Sequence, residues 1–197
     1  MVTSVLSGAI FGVDCQMVKV EVDVSNGLPC VDMIGLLGTE VKEARERVRV
    51  ALKNIGVSLP PVRITINLSP ANIRKDGTGY DLAIAVALLE GIGEIETGRS
   101  DGVFFAGEIG LNGEIKHING ILPMALTARD SGIKYVVVPK DNAREAAVVQ
   151  GIKVVGVNNL IELIKYLNYD VEDRDKFIMP EQNNISEIIR KKSEEIK

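Results

Sequence analysis

At 197 residues, with 46% hydrophobic and 25% charged positions, the chain is long enough to enclose one substantial core. Its net charge of −4 argues against a dedicated basic nucleic-acid clamp but leaves room for a local basic patch on an acidic body. No apolar run approaches the roughly 20 residues of a bilayer span, and the opening MVTSVLSGAIFGVD lacks the positive flank of a signal peptide, so a cytoplasmic protein with no membrane partner is expected.

Residues 3–36 read as strands. Val18, Val20, Val22 and Val24 alternate with Lys19, Glu21 and Asp23, the pattern of an antiparallel strand with one wet face. The runs holding Cys15 and Cys30 read as two arms of a hairpin turning at residues 25–29. That register leaves the two cysteines ~30 Å apart along the strand. A disulfide requires Cα atoms within roughly 7 Å, so two buried, reduced thiols are expected. A helix follows over residues 39–56. Val41, Ala44, Val48, Ala51, Leu52 and Ile55 recur at helical spacing, Gly56 supplies the stop, and charges of both signs fill the other face. Most of that face reads as solvated surface; its Lys42, Arg45, Arg49 and Lys53 are the positions to test for phosphate contact. VRITINLSP is another alternating strand, ended by Pro70.

The stretch IRKDGTGYDLAIAVALL, residues 73–89, then sets the central question, whether its glycine turn is an active-site loop or the start of a buried helix. Thr78 and Asp81 stand at the spacing of a capping box, Gly77 and Gly79 give a sharp entry, and the apolar run is that of a helix buried on more than one side. The free amides of such a helix start favour an anion, and Arg74 and Lys75 stand just before it. Neither the Gly-x-x-x-x-Gly-Lys-Ser/Thr nor the Gly-x-Gly-x-x-Gly nucleotide loop occurs. Beyond the helix, residues 101–118 read as a strand and a tight Asn-Gly hairpin at residues 111–114, residues 120–131 as a helix ended by Gly132, and KYVVVPKDN as a short, fully apolar strand. NAREAAVVQG reads as a helix, KVVGV as a strand, and NNLIELIKYLN as a helix begun by asparagine. The fold class is therefore α+β, a mixed sheet with packed helices and a C-terminal βαβα segment.

After residue 168 the sequence turns polar and charge-clustered, so residues 1–168 read as the domain and 169–197 as a linker or appendage. Within it Ile185, Ile188, Ile189 and Ile196 would line one side of a marginal helix. Other chemistry is sparse. His117, the sole histidine, lacks a Cys or second His to complete a metal site, and Glu108 and Asp76 have no spacing that establishes an acid–base pair.

The order of motifs carries a resemblance. KDGTGYDLAIAVALL and FAGEIGLNGEIKHINGILPMALTARDSGIKYVVVPKDN resemble the proteolytic domain of Lon proteases, which shares its fold with domain 2 of ribosomal protein S5. The run from VLSGAIFGVDCQMVKVEVDVSNGLP through RITINLSPANIRKDGTGYDLAIA is more closely similar to the N-terminal domain of magnesium-chelatase-like AAA+ proteins of the ComM/YifB type. The likeness extends from Thr3 to about Leu167.

Lon-type peptidases use a serine nucleophile with a lysine base, because a hydroxyl attacks poorly until a neutral amine takes its proton. Laid on this sequence, the resemblance puts Gly79 where the serine belongs and Leu122 where the lysine belongs. Thr78 lies one residue out of register, and Lys75 or Lys116 would have to serve as its base. The resemblance thus implies a non-catalytic module of a longer protein. Its AAA+ part would use ATP and Mg2+, form a homo-oligomer, a hexamer by resemblance, and act on DNA as a branch-migrating helicase during uptake of transforming DNA. Two alternatives stay open, a residual peptidase or peptide-binding platform and a purely structural oligomerisation module.

Overall fold

The computed structural model describes residues 2–179. β1 (Val2–Phe11) and β2 (Asp14–Ser25) form an antiparallel hairpin with Phe11 opposite Asp14 and Val2 opposite Asp23. It turns at Gly12, whose φ of 62° suits a residue without Cβ. The hairpin expected at residues 25–29 does not form. β3 (Cys30–Ile34) instead pairs in parallel with β4 (Arg63–Ser69), and β4 lies between β3 and β2. With β1 on one side and β4 on the other, β2 has no edge left for β3. Both cysteines are free, as expected, but half-buried rather than buried. Burial pushes the Cys15 thiol up to about 11, against a lowering hydrogen bond from the Thr127 side chain.

α1 (Thr39–Asn54), between β3 and β4 in the chain, buries Val41, Ala44, Val48, Ala51 and Leu52 as its spacing predicts. α2 (Asp81–Gly91) is buried at every position from Asp81 to Glu90, with β1 and β2 beneath it and α1 beside it. Each fully buried Leu, Ile or Val stabilises by ~1.5–3 kcal/mol, so a helix that is apolar all round is most stable between layers. The buried Glu90 carboxylate accepts from the Ser100 hydroxyl and the Gly98 amide, which fastens the chain after the helix.

The remaining elements follow the predicted order with two differences. β5 (Val103–Phe105) leads to the small hairpin of β6 (Glu108–Ile109) and β7 (Ile115–Lys116), turned through Asn112 and Gly113 as the sequence predicts. Next come α3 (Ile121–Asp130), β8 (Tyr135–Pro139), α4 (Ala143–Ala146), β9 (Lys153–Val157) and α5 (Leu160–Asn168). α4 is a single turn rather than the ten-residue helix expected, since within it only the small side chains Ala143 and Ala146 are buried. The Asn159 side chain caps α5 by accepting from the Glu162 amide at 2.9 Å. The second difference lies past residue 168. There α6 (Val171–Arg174) and the turn after it fold back, and the Met179 amide reaches the Val154 carbonyl of β9 at 2.7 Å. The isoleucines at 185, 188, 189 and 196 lie outside the described residues.

The seven strands form one mixed sheet in the order β3-β4-β2-β1-β5-β8-β9, parallel from β1 to β9. Alternation divides its side chains between two apolar clusters. Phe105 joins the larger one under α1, α2 and α5, whereas its neighbour Phe104 joins the smaller one with α3 and α4. Among the described residues, no helix is long and apolar enough to cross a membrane.

Candidate functional site

The glycine turn before α2 lies against the N-terminal end of α1. Leu37 and Lys75 form a parallel bridge, with the Lys75 amide 2.9 Å from the Leu36 carbonyl and the Gly38 amide 2.8 Å from the Lys75 carbonyl. Asp76 then covers Gly38 so closely that a Cβ there would stand 2.2 Å from its Oδ1. Gly77, at φ 82°, bends the chain outward. The Gly79 carbonyl returns to the body by accepting from the Gly107 amide at 3.0 Å.

This path opens a cleft of about 460 Å³, lined among others by Ile10, Asp76, Thr78, Glu108, His117 and Met124. Thr78 Oγ1 donates to Glu108 Oε2 at 2.5 Å across its wall. The expected capping box is absent. Tyr80 stands at the cap position without a side-chain bond, Thr78 is turned to Glu108, and Asp81 is turned the other way. Asp81 is fully buried, and Arg47 of α1 grips both its oxygens at 2.9 Å while the Ile109 amide donates at 3.2 Å. Burial pushes the Asp81 carboxyl upward, opposed by the Arg47 guanidinium, and Asp81 in turn raises Arg47. A buried carboxylate facing a guanidinium fork wins over a local cap because the fork offers two charge-assisted bonds.

Sequence reasoning missed the Arg47–Asp81 pair. Its signal was that Arg47, one position from Val48, flanks the apolar stripe of α1 rather than facing open solvent.

The other expected site residues are scattered. Lys75 is enclosed and not presented to a phosphate; its Nζ donates to the Pro70 carbonyl, and burial lowers its pKa. Arg74 is exposed but lies 3.0 Å from Asp76. Arg45 donates to the Val31 carbonyl at 2.9 Å and Arg49 bonds both oxygens of Glu46, at 2.6 and 3.0 Å. Lys42 and Lys53 are exposed. Gly79 lies on the cleft wall, where a Cβ would meet only the flexible ends of Ile118 at 3.3 Å and Met124 at 3.8 Å. Leu122 does not line the cleft; its side chain is exposed and its amide donates to Glu145 at 3.1 Å. His117 is exposed at the rim, and Lys116 is exposed beside it on β7. Glu108 and Asp76 both line the cleft but are engaged separately, with Thr78 and with Arg74. Among the described residues, no group of three or more His, Cys, Asp or Glu side chains is placed to hold a metal ion.

This mixed sheet, with its glycine turn and β6–β7 hairpin framing one cleft, coincides with a defined sequence family. Residues 20–142 match the family described as subunit ChlI of Mg-chelatase. The chain belongs to that family. Its relatives include the competence protein ComM of Haemophilus influenzae, 35% identical over 164 residues that make up 83% of this chain and 32% of ComM. YifB of Escherichia coli is 42% identical over 143 residues, 73% of this chain and 28% of YifB. Lon protease 2 of Bacillus subtilis is 31% identical over 124 residues, 62% of this chain and 22% of that protein. The likeness therefore falls on the ComM/YifB-type Mg-chelatase-like N-terminal domain, with the Lon-like fold of ribosomal protein S5 domain 2. The chain spans about a third of the length of ComM.

Proposed function

We propose that this chain is the non-catalytic N-terminal module of a longer, cytoplasmic Mg-chelatase-like protein, and that it supports ring assembly and DNA engagement by an ATP- and Mg2+-dependent AAA+ motor. ATP and Mg2+ are assigned to that motor, a reading supported by the match to the family of the Mg-chelatase subunit ChlI and by the lack of a phosphate-loop motif in this sequence. The observation that carries the reading is the cleft wall at Gly79. A Cβ there would meet only the flexible ends of Ile118 and Met124, yet the position is glycine, and Leu122, where a lysine base would be needed, is exposed and does not line the cleft. Lys75 is held by Pro70, so it is not available to take the Thr78 proton. These positions support the reading of the cleft as a peptidase-like one that has lost its nucleophile and base.

The reading is tested by producing the longer protein with and without residues 1–179 and comparing oligomer formation and DNA-stimulated ATP hydrolysis. Deletion is expected to weaken both; unchanged assembly and unchanged DNA stimulation would sink the proposal. Direct phosphate contact falls to Lys42, an exposed cation of the α1 face. Its replacement by alanine is expected to reduce DNA affinity and flatten the salt dependence by a slope of roughly one, the share of a single phosphate contact.

One observation favours a second reading. The 2.5 Å bond from Thr78 to Glu108 places a hydroxyl against a carboxylate inside the cleft, the arrangement a residual peptidase would need. Peptide cleavage lost in Thr78→Ala would establish it in place of the first. A purely structural oligomerisation role is distinguished by ring formation that persists without DNA affinity at low salt.

A further inference from the structure

Two surface features stand at opposite ends of β2. At one end the β1–β2 turn projects large apolar side chains into solvent, Phe11 at 41% and Val13 at 86% exposure, followed by the exposed carboxylate of Asp14. At the other end, beside the outermost strand β3, lies a groove of about 440 Å³ with an apolar floor that includes Val57, Leu59 and Val62, and with Arg49 and Lys53 of α1 on its rim. That volume lies in the range that encloses a small ligand or inserted side chains. The twelve residues of β2 put the two features roughly 36 Å apart at ~3.3 Å per residue, so they do not meet within one copy.

We propose that the turn of one copy, Phe11 to Asp14, seats in the β3 groove of a second copy, head to tail. The surfaces match in three respects. One is convex and the other concave, both are apolar at the centre, and the charges beside them are opposite, Asp14 on the turn against Lys53 and Arg49 on the rim. Arg49 is already bonded to Glu46, so the pairing with Asp14 is assigned to the exposed Lys53. Each copy then carries one turn and one groove, used once each. Such a heterologous contact repeats, and it closes into a ring when its rotation closes. The proposal rests on the assembly role argued above and names the surface that performs it.

Sedimentation velocity of the 197-residue chain provides the test. Wild type is expected to self-associate with rising concentration, and Val13→Glu is expected to abolish this by placing a charge where the groove floor is apolar. Asp14→Lys and Lys53→Glu are each expected to weaken association by roughly tenfold, with the double variant Asp14→Lys/Lys53→Glu recovering most of that loss. Because the two positions lie far apart in one copy, recovery reports contact between copies. A wild type that stays monomeric up to about 1 mM, single variants that associate normally, or a double variant no better than the singles would each overturn the contact. Circular dichroism of every variant separates lost assembly from lost folding. The assembly role itself fails by a different result, an intact ring in the longer protein after deletion of residues 1–179.

Discussion

The buried pair of Arg47 and Asp81 shows how one residue changes role between sequence and fold. In the sequence Asp81 reads as half of a local cap, and in the structure it ties α2 to α1 across 34 residues. Asp81→Ala removes two charge-assisted bonds but leaves Arg47, which is only partly buried, with Glu43 at 3.7 Å and the Glu40 carbonyl at 2.8 Å. It is therefore expected to cost about 2–3 kcal/mol, read as a lower urea midpoint at unchanged slope. A loss below about 1 kcal/mol would show that Arg47 finds water instead. Nothing local distinguishes the two roles of Asp81, because the competing partner comes from a helix earlier in the chain. Thr78 illustrates the same point, since its bond to Glu108 spans 30 residues.

Among the elements, the helices that bury one stripe were legible from spacing, as α1 shows, and so was α2, because a run apolar all round has no wet face to present. The pairing of β3 was not legible. A five-residue strand beside a turn-rich segment suits a hairpin, and only the occupation of both edges of β2 excludes it. The segment after α5 is anchored by Arg174 together with Phe177, whose ring packs on Tyr166 and Tyr169. Arg174 is buried and donates to the carbonyls of Leu167 at 2.5 Å, Arg99 at 3.0 Å and Tyr169 at 3.2 Å, with its guanidinium 5.4 Å from the Tyr166 ring centre. Arg174→Ala removes all three bonds, leaving the Tyr169 carbonyl with Arg99 at 3.1 Å, and is expected to cost about 2–3 kcal/mol. Hydrogen exchange at the Met179 amide, which bonds Val154, is the sharper measurement. Exchange there should accelerate well before that of β5, and an unchanged rate would mean that α6 holds without Arg174.

At the scale of the whole molecule, the two apolar clusters share one sheet and are joined through it. Phe104 and Phe105 are adjacent in β5 and fully buried, yet serve opposite clusters. Each substitution by alanine is expected to cost about 3–5 kcal/mol. Both should lower the same unfolding transition, seen together by far-UV and near-UV dichroism; two separated transitions would show that the clusters unfold independently. The sequence by itself determined the α+β class and the strand and helix order through α5, because local periodicity and turn residues encode these within a few positions, while the order of its motifs carries the Lon-like resemblance. The tertiary structure alone decided the sheet order, the enclosure of Lys75, the two buried bonds that occupy Thr78 and Asp81, and the placing of an apolar turn and an apolar groove at opposite ends of β2. Each of these depends on partners 30 or more residues apart or on burial by other elements, and no local pattern in a chain specifies which distant group reaches a buried charge first.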